Sequence, residues 1–149
     1  MSAQPLTLSL GSDHAGLPLK SVIAEQLKAL GHTVVDQGTF TEDSCDYPLY
    51  AQKVAADVVA GRSRFGVLIC STGVGISIAA NKVHGIRAAL VHNAEMSALA
   101  RQHNDANVIC FGRRYVTPEL AAACLAAFLA AEFEGGRHAR RVAQIEPVS

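Results

Sequence analysis

The sequence predicts an α/β fold, one parallel five-stranded sheet layered between helices, and three observations lead there. Short aliphatic or β-branched runs alternate with longer segments whose apolar residues recur at helical spacing; that alternation builds parallel strands joined by right-handed crossovers. Residues 65–69 are apolar throughout apart from Gly66, as in a strand covered on both faces. The 149 residues fit one domain with a core large enough to fold without staples, and no repeat, linker or low-complexity stretch divides them. The expected architecture is a single-domain, Rossmann-like three-layer sandwich with a C-terminal helix, spanning residues 1–149.

The first strand is expected over residues 6–11, where Leu6, Leu8 and Leu10 alternate with Thr7 and Ser9. Residues 12–16 break it. Pro18 suits the first turn of a helix, where its missing N–H is not needed. Leu19, Val22, Ile23, Leu27 and Leu30 then keep helical spacing up to Gly31. Residues 33–35 are a β-branched second strand, and 38–46 a polar loop. Asp46 can cap a helix with Pro48 in its first turn; Tyr50, Val54 and Val58 give it an apolar stripe up to Gly61. The third strand, 65–69, runs into Cys70-Ser71-Thr72-Gly73-Val74-Gly75, and a short helix follows over 76–81. A fourth strand (86–91), a helix (94–103) and a fifth strand (107–111) come next. Pro118 opens an alanine- and leucine-rich helix ending near Glu134. Gly135-Gly136 breaks it, and a basic helix covers 137–145.

Composition narrows the function. Lys and Arg number 13 against 13 Asp and Glu, so the bulk basic excess of a nucleic-acid binder is missing. At 50% hydrophobic and 17% charged the chain is not disordered, and it is apolar enough that a partner chain is expected to cover part of its surface. No apolar run approaches the ~20 residues of a membrane span. Residues 1–6 lack a basic cluster followed by an apolar stretch, so no signal peptide is visible. Cys45, Cys70, Cys110 and Cys124 are scattered without CxxC spacing; they read as buried free thiols of a cytoplasmic protein. The histidines show neither HxxxH nor HExxH spacing, so no metal site is expected.

In open parallel sheets ligands bind beyond the carboxyl ends of the strands, and the chemically loaded residues are expected there. In the segment from Cys70 to Gly75 two glycines at alternate positions let the chain turn tightly and aim successive N–H groups into one concavity. Such a nest at a helix N-terminus binds anions and developing oxyanions, and it favours the thiolate form of Cys70. The same segment also reads as a plain tight turn with an inert cysteine. Asp13-His14 offers a carboxylate beside an imidazole for proton transfer, or else a capping Asp beside a solvent-facing His. His103-Asn104 offers an acid/base group and a polyol contact, or else a helix C-cap. Arg137 and Arg141, four apart, share one helical face and could clamp a phosphate or simply face water; Arg113-Arg114 carries the same alternatives. Together these groups fit proton transfer next to a carbonyl on a phosphorylated substrate.

Ser12-Asp13-His14-Ala15-Gly16, Asp46-Tyr47-Pro48, CSTGVGISIAAN from Cys70, Gly85-Ile86-Arg87-Ala88, RQHNDANV from Arg101 and EGGRH from Glu134 occur in order along nearly the whole chain. This set resembles the ribose-5-phosphate isomerase B family, which includes galactose- and allose-phosphate isomerases. The resemblance implies an aldose–ketose isomerase acting through a cis-enediolate, on ribose 5-phosphate or on a tetrose or hexose phosphate. It implies Cys70 as base, Thr72 beside the reacting oxygen, and Ser71, Gly73, Val74 and Gly75 as the enediolate loop. His103 would open the furanose ring with help from Asp13. His14, Arg137, Arg141 and Arg114 would hold phosphate, and Asn104 and Tyr47 the sugar. No metal or organic cofactor is implied. A homodimer or tetramer with the site between subunits is. Ser71 replaces a glycine common in the family, and residues 92–96 also depart from its pattern.

Overall fold

The core is built on β3 (Phe65–Cys70), whose six residues are all buried. It pairs in parallel with β1 (Thr7–Ser12) on one side and β5 (Val108–Gly112) on the other. The edges are β2 (Thr33–Asp36) beside β1 and β4 (Ala88–Leu90) beside β5, so the sheet order is β2-β1-β3-β5-β4. The computed structural model describes residues 4–147. Helices α1 (Leu17–Ala29), α2 (Tyr47–Val59), α3 (Val74–Asn81), α4 (Ala94–Asn104), α5 (Pro118–Ala130) and α6 (Arg137–Val142) complete it.

Strand alternation divides the core in two. Leu8, Leu10, Val67, Ile69, Ile109 and Phe111 face α1, α4 and α5. Leu68, Cys70, Val108 and Cys110 face α2 and α3. The three-layer parallel arrangement matches the expectation, and its elements differ at the edges. The first strand is buried as expected but runs Thr7–Ser12 rather than 6–11, and even its polar Ser9 and Ser12 are fully buried because helices cover both faces. The edge strand β4 is three residues rather than six, since Ile86 and Arg87 approach it through a turn. Helix α5 stops at Ala130 and α6 at Val142, both short of the predicted ends. Alanine continues the helical composition past Ala130, but residues 131–136 leave the helix to cross the end of α4, where the Glu134 N–H donates to the Gln102 carbonyl at 3.0 Å. Asp46 occupies the N-cap position of α2 without capping through its side chain. Among the described residues, no helix is long and apolar enough to cross a membrane.

Two buried ionic groups lock α1 and α2 onto the sheet. Lys20 is fully buried; its ammonium pairs with Asp36 and donates to the Thr39 carbonyl at 2.8 Å. Asp57 on α2 accepts hydrogen bonds from Ser9 Oγ (2.7 Å), Gln37 Nε2 (2.7 Å) and Arg62 Nε (3.0 Å). Burial alone would push the Asp57 carboxyl up, but these three donors, together with the Arg62 charge, outweigh it and hold the carboxyl below the usual range.

Asp57→Asn removes the charge that Arg62 pairs with and leaves at least one of the three donors facing an amide nitrogen, and it is expected to destabilise the fold by about 1–3 kcal/mol at neutral pH, read by urea denaturation. The Asp57 carboxyl titrates lower in the folded state than in the unfolded one. Its contribution is therefore complete above the unfolded value and is lost as pH falls through the depressed folded one. Wild-type and variant midpoints should converge in acid; a separation that stays constant there contradicts the linkage.

Candidate functional site

The strand order reverses direction between β1 and β3, and in open parallel sheets the crevice outside the carboxyl ends at such a point is where ligands sit. Cys70, the last residue of β3, lies there with 4% of its surface exposed. Three residues, Ser71 to Gly73, separate it from α3, which starts at Val74 rather than at the predicted Ile76. The chain turns back at Gly73 with φ +81°, and the Gly73 N–H donates to Cys70 Sγ at 3.2 Å. A Cβ on Gly73 would lie 2.5 Å from Leu90 Cδ1 and 2.9 Å from the Gly112 nitrogen. Thr72 Oγ1 accepts from the Val74 N–H at 3.2 Å, so the turn carries its own side-chain brace. Ser71 Oγ accepts from Arg114 Nε at 2.7 Å, and the Arg114 N–H bonds to the Ser71 carbonyl at 3.0 Å. The Ser71 hydroxyl thus fastens Arg114 beside the nest.

The end of β1 joins this loop. Asp13 is buried; its N–H donates to the Ile69 carbonyl at 3.3 Å and its Oδ1 accepts from Gly16 at 3.0 Å. The carboxylate therefore shapes the turn into α1 as well as facing the crevice. His14 Nδ1 accepts the Cys45 N–H at 3.2 Å, which leaves Nε2 as the proton-bearing nitrogen of the neutral ring. Asp13, His14, Cys45, Asp46, Tyr47 and Leu49 line a cleft of about 560 Å³. Tyr47 closes over the nest: a Cβ on Gly75 would fall 2.5 Å from Tyr47 Cζ. Cys45 departs from expectation. It is half-buried against His14, whereas Cys70, Cys110 and Cys124 are buried. Burial pushes the Cys110 and Cys124 thiols up, as inert core groups.

Of the remaining predicted residues, His103, Asn104 and Arg141 line a second cleft of about 330 Å³ together with His138, Val142 and Ile145, while Arg137 lies outside that lining. The C-terminal turn of α4 is held by buried Arg101, which donates to Asp105 Oδ1 (2.7 Å) and the Ala106 carbonyl (2.8 Å). Asp105, not Asn104, takes the left-handed cap, at φ 47°. His103 stacks on His138 with centroids 4.1 Å apart and planes 9° from parallel. Burial, His103 and Arg137 hold the His138 imidazole below its ordinary range. The charge run of the last helix includes His138 without marking it as buried, and no charge pattern singles out Glu134, which also approaches His103. A six-residue helix shows no apolar stripe to mark His138 as buried, and only the EGGRH string points at the pair. His103, Glu134 and His138 bring possible ligand atoms within 4.8 Å of one another. The imidazole lone pairs lie in two nearly parallel planes, so no single ion can sit in both without the rings splaying apart. Arg137 is exposed at the start of α6, one turn before Arg141.

Cys70 under the Gly73 amide at the switch point of a parallel sheet, with the Asp13 carboxylate just past the end of the adjacent strand, is the setting of an α/β enzyme site. Residues 8–145 match the model of the Ribose/Galactose Isomerase family, and the chain belongs to that family. Ribose-5-phosphate isomerase B of Escherichia coli is 48% identical over 141 residues, 95% of each chain. The solved structure of Clostridium thermocellum ribose-5-phosphate isomerase B superposes with a TM-score of 0.93 at 49% identity, covering 94% of this chain and 95% of that one. Ribose-5-phosphate isomerase B of Mycoplasma genitalium, solved with bound ribulose-5-phosphate, superposes at 0.88 with 46% identity over 93% of each chain.

Gly73→Ala places a side chain at a positive φ and against the β5 backbone. It is expected to destabilise by roughly 1–3 kcal/mol, the range of a strained left-handed residue, seen as a lower urea midpoint with an unchanged slope. An unchanged midpoint would show that the turn can relax away from the sheet.

Proposed function

We propose that this chain interconverts ribose 5-phosphate and ribulose 5-phosphate, with Cys70 as the base that carries a proton between C2 and C1. The observation that carries this reading is the Cys70 thiol at the carboxyl edge of β3, under the Gly73 amide and next to the end of β1 that holds Asp13. The pentose arrives as a furanose. His103 as imidazolium gives a proton to O4, Asp13 takes the proton of the C1 hydroxyl, the C1–O4 bond breaks and C1=O forms. The Cys70 thiolate then removes the C2 proton. The resulting cis-enediolate is held by the N–H groups of residues 71–75, with Thr72 beside the reacting oxygen. The Cys70 thiol returns the proton to C1 while a proton passes from O2 to O1, leaving the ketose. Preorganised amides suit this step because they meet the charge where it develops without having to reorient. Tyr47 and Asn104 bind sugar hydroxyls; His14, Arg114, Arg137 and Arg141 bind the phosphate. No step calls for a metal or an organic cofactor.

Asp13, His14 and Tyr47 line one cleft and His103, Asn104 and Arg141 another, and a homodimer that faces the His103 cleft of one subunit with the Cys70 nest of another would complete the set. Exposed Leu49 and Tyr47 beside the first cleft, and Met96 and Leu99 in an apolar groove that reaches Asn104 beside the second, supply surface for such a contact. The whole described chain would then act as one isomerase domain.

Purified chain assayed on four-, five- and six-carbon aldose phosphates is expected to turn over ribose 5-phosphate fastest. Cys70→Ala and His103→Asn should each lower that rate by at least ~10²–10⁴. If the site is shared, mixing the two variants under subunit exchange restores activity, because a mixed dimer holds one intact site; a mixture as inactive as its parts speaks against sharing.

Arg137→Ala is expected to raise KM about 10- to 100-fold, the loss of one charge-assisted contact of roughly 1.5–3 kcal/mol, with a smaller change in kcat. Arg137→Lys should recover part of this, since an ammonium keeps the charge and loses the fork. An unchanged preference for ribose 5-phosphate over free ribose would remove Arg137 from phosphate recognition.

A further inference from the structure

The segment between α5 and α6 has no part in the scheme above, yet it delivers a carboxylate to His103. Residues 131–136 leave the helical path at Ala131 and cross the end of α4, where the Glu134 N–H bonds to the carbonyl of Gln102, the residue before His103. This fixes the Glu134 side chain over the two stacked imidazoles. Glu134 Oε1 lies 3.7 Å from His103 Nε2 and 3.5 Å from His138 Nε2. His138 Nε2 is buried and makes no hydrogen bond among the described residues, and the Glu134 carboxylate lies 3.5 Å from it.

We propose that Glu134 is the positioning residue of the ring-opening step, setting the plane and direction of the His103 imidazole, with His138 as the flat surface beneath it. The inference rests on the isomerase reading above and extends it to a residue outside the reacting set. Two restraints are needed to hold an imidazole. The stack on His138 fixes the ring plane, and the Glu134 carboxylate fixes rotation within that plane. Burial and the neighbouring charges disfavour a proton on His138, which favours the stack with one cationic ring over one with two when His103 carries a proton. A contact of 3.7 Å is longer than a hydrogen bond, and catalytic contacts of this kind shorten when substrate closes the site. Glu134 is half exposed and lies outside any helix, so its removal leaves the fold intact.

The test separates ring opening from proton transfer at carbon. Ribose 5-phosphate must be opened before it reacts. Ribulose 5-phosphate cannot close a furanose, because its C5 oxygen carries the phosphate. Solvent deuterium enters C1 of ribulose 5-phosphate through the Cys70 step alone. Glu134→Ala is expected to lower kcat on ribose 5-phosphate about 10- to 100-fold, the loss that follows a misplaced catalytic group, with little change in KM. Deuterium exchange at C1 of ribulose 5-phosphate, followed by proton NMR, should stay within about twofold of wild type, in line with an unchanged proton-transfer step. Glu134→Gln should fall between, since its amide oxygen can still accept from an imidazole N–H. Equal losses in turnover and exchange, or no loss in turnover, overturn the proposal. Wild-type chain that neither turns over ribose 5-phosphate nor exchanges deuterium sinks the isomerase reading and this one with it.

Discussion

The parallel pairing of β1 with β3, in the register that sets Ser12 beside Ile69, is the contact on which both the core and the site depend. It places two strands buried almost throughout side by side, with Leu8, Leu10, Val67 and Ile69 under α1 and α5 and Leu68 and Cys70 under α2 and α3. The same register ends both strands at one level. Asp13 therefore leaves β1 where Cys70 leaves β3, and the Asp13 N–H continues the ladder onto Ile69. A slip of one residue would turn every side chain of β1 to the opposite face and separate the carboxylate from the thiol.

Around the second cleft the constraint is polar rather than apolar. Arg101, buried on α4, and Arg87, before β4, both bond to Asp105, and this closes the left-handed turn that follows Asn104. Beyond α6, Glu146 accepts from the Gly85 N–H at 2.8 Å and meets His84 Nδ1 at 3.0 Å, tying the end of the described chain to the loop before β4. Networks of this kind add modestly to stability, but they leave few alternative arrangements open, because breaking one partner strands a buried charge. A short basic helix such as α6, with His138 its only buried residue, needs that kind of fastening to present Arg137 and Arg141 at a defined place.

The two departures read from the sequence, at Ser71 and within residues 92–96, fall on residues with local roles. Ser71 anchors Arg114 through its hydroxyl while its amide stays in the nest. Within residues 92–96, Asn93 caps α4 by accepting the Met96 N–H at 2.8 Å. Both changes act on how the site is framed and leave Cys70, Gly73 and Asp13 in place.

By itself the sequence determined the alternation of strands and helices, the buried run of β3, the glycine turn after Cys70 and the grouping of loaded residues at the carboxyl ends of strands. Those features are local: periodicity, β-branching, and the need for glycine where φ is positive. Only the tertiary structure decided the strand order, the double burial of Ser9 and Ser12, and the exit of the chain from α5 at Ala130 over the end of α4. It also decided that Cys45 lies against His14 and that Glu134 and His138 meet His103. These follow from contacts between residues distant in sequence, whose partners no window of the chain contains. Glu134 and His103 are thirty-one positions apart, and nothing in the composition around either one records that a backbone hydrogen bond to Gln102 brings them together.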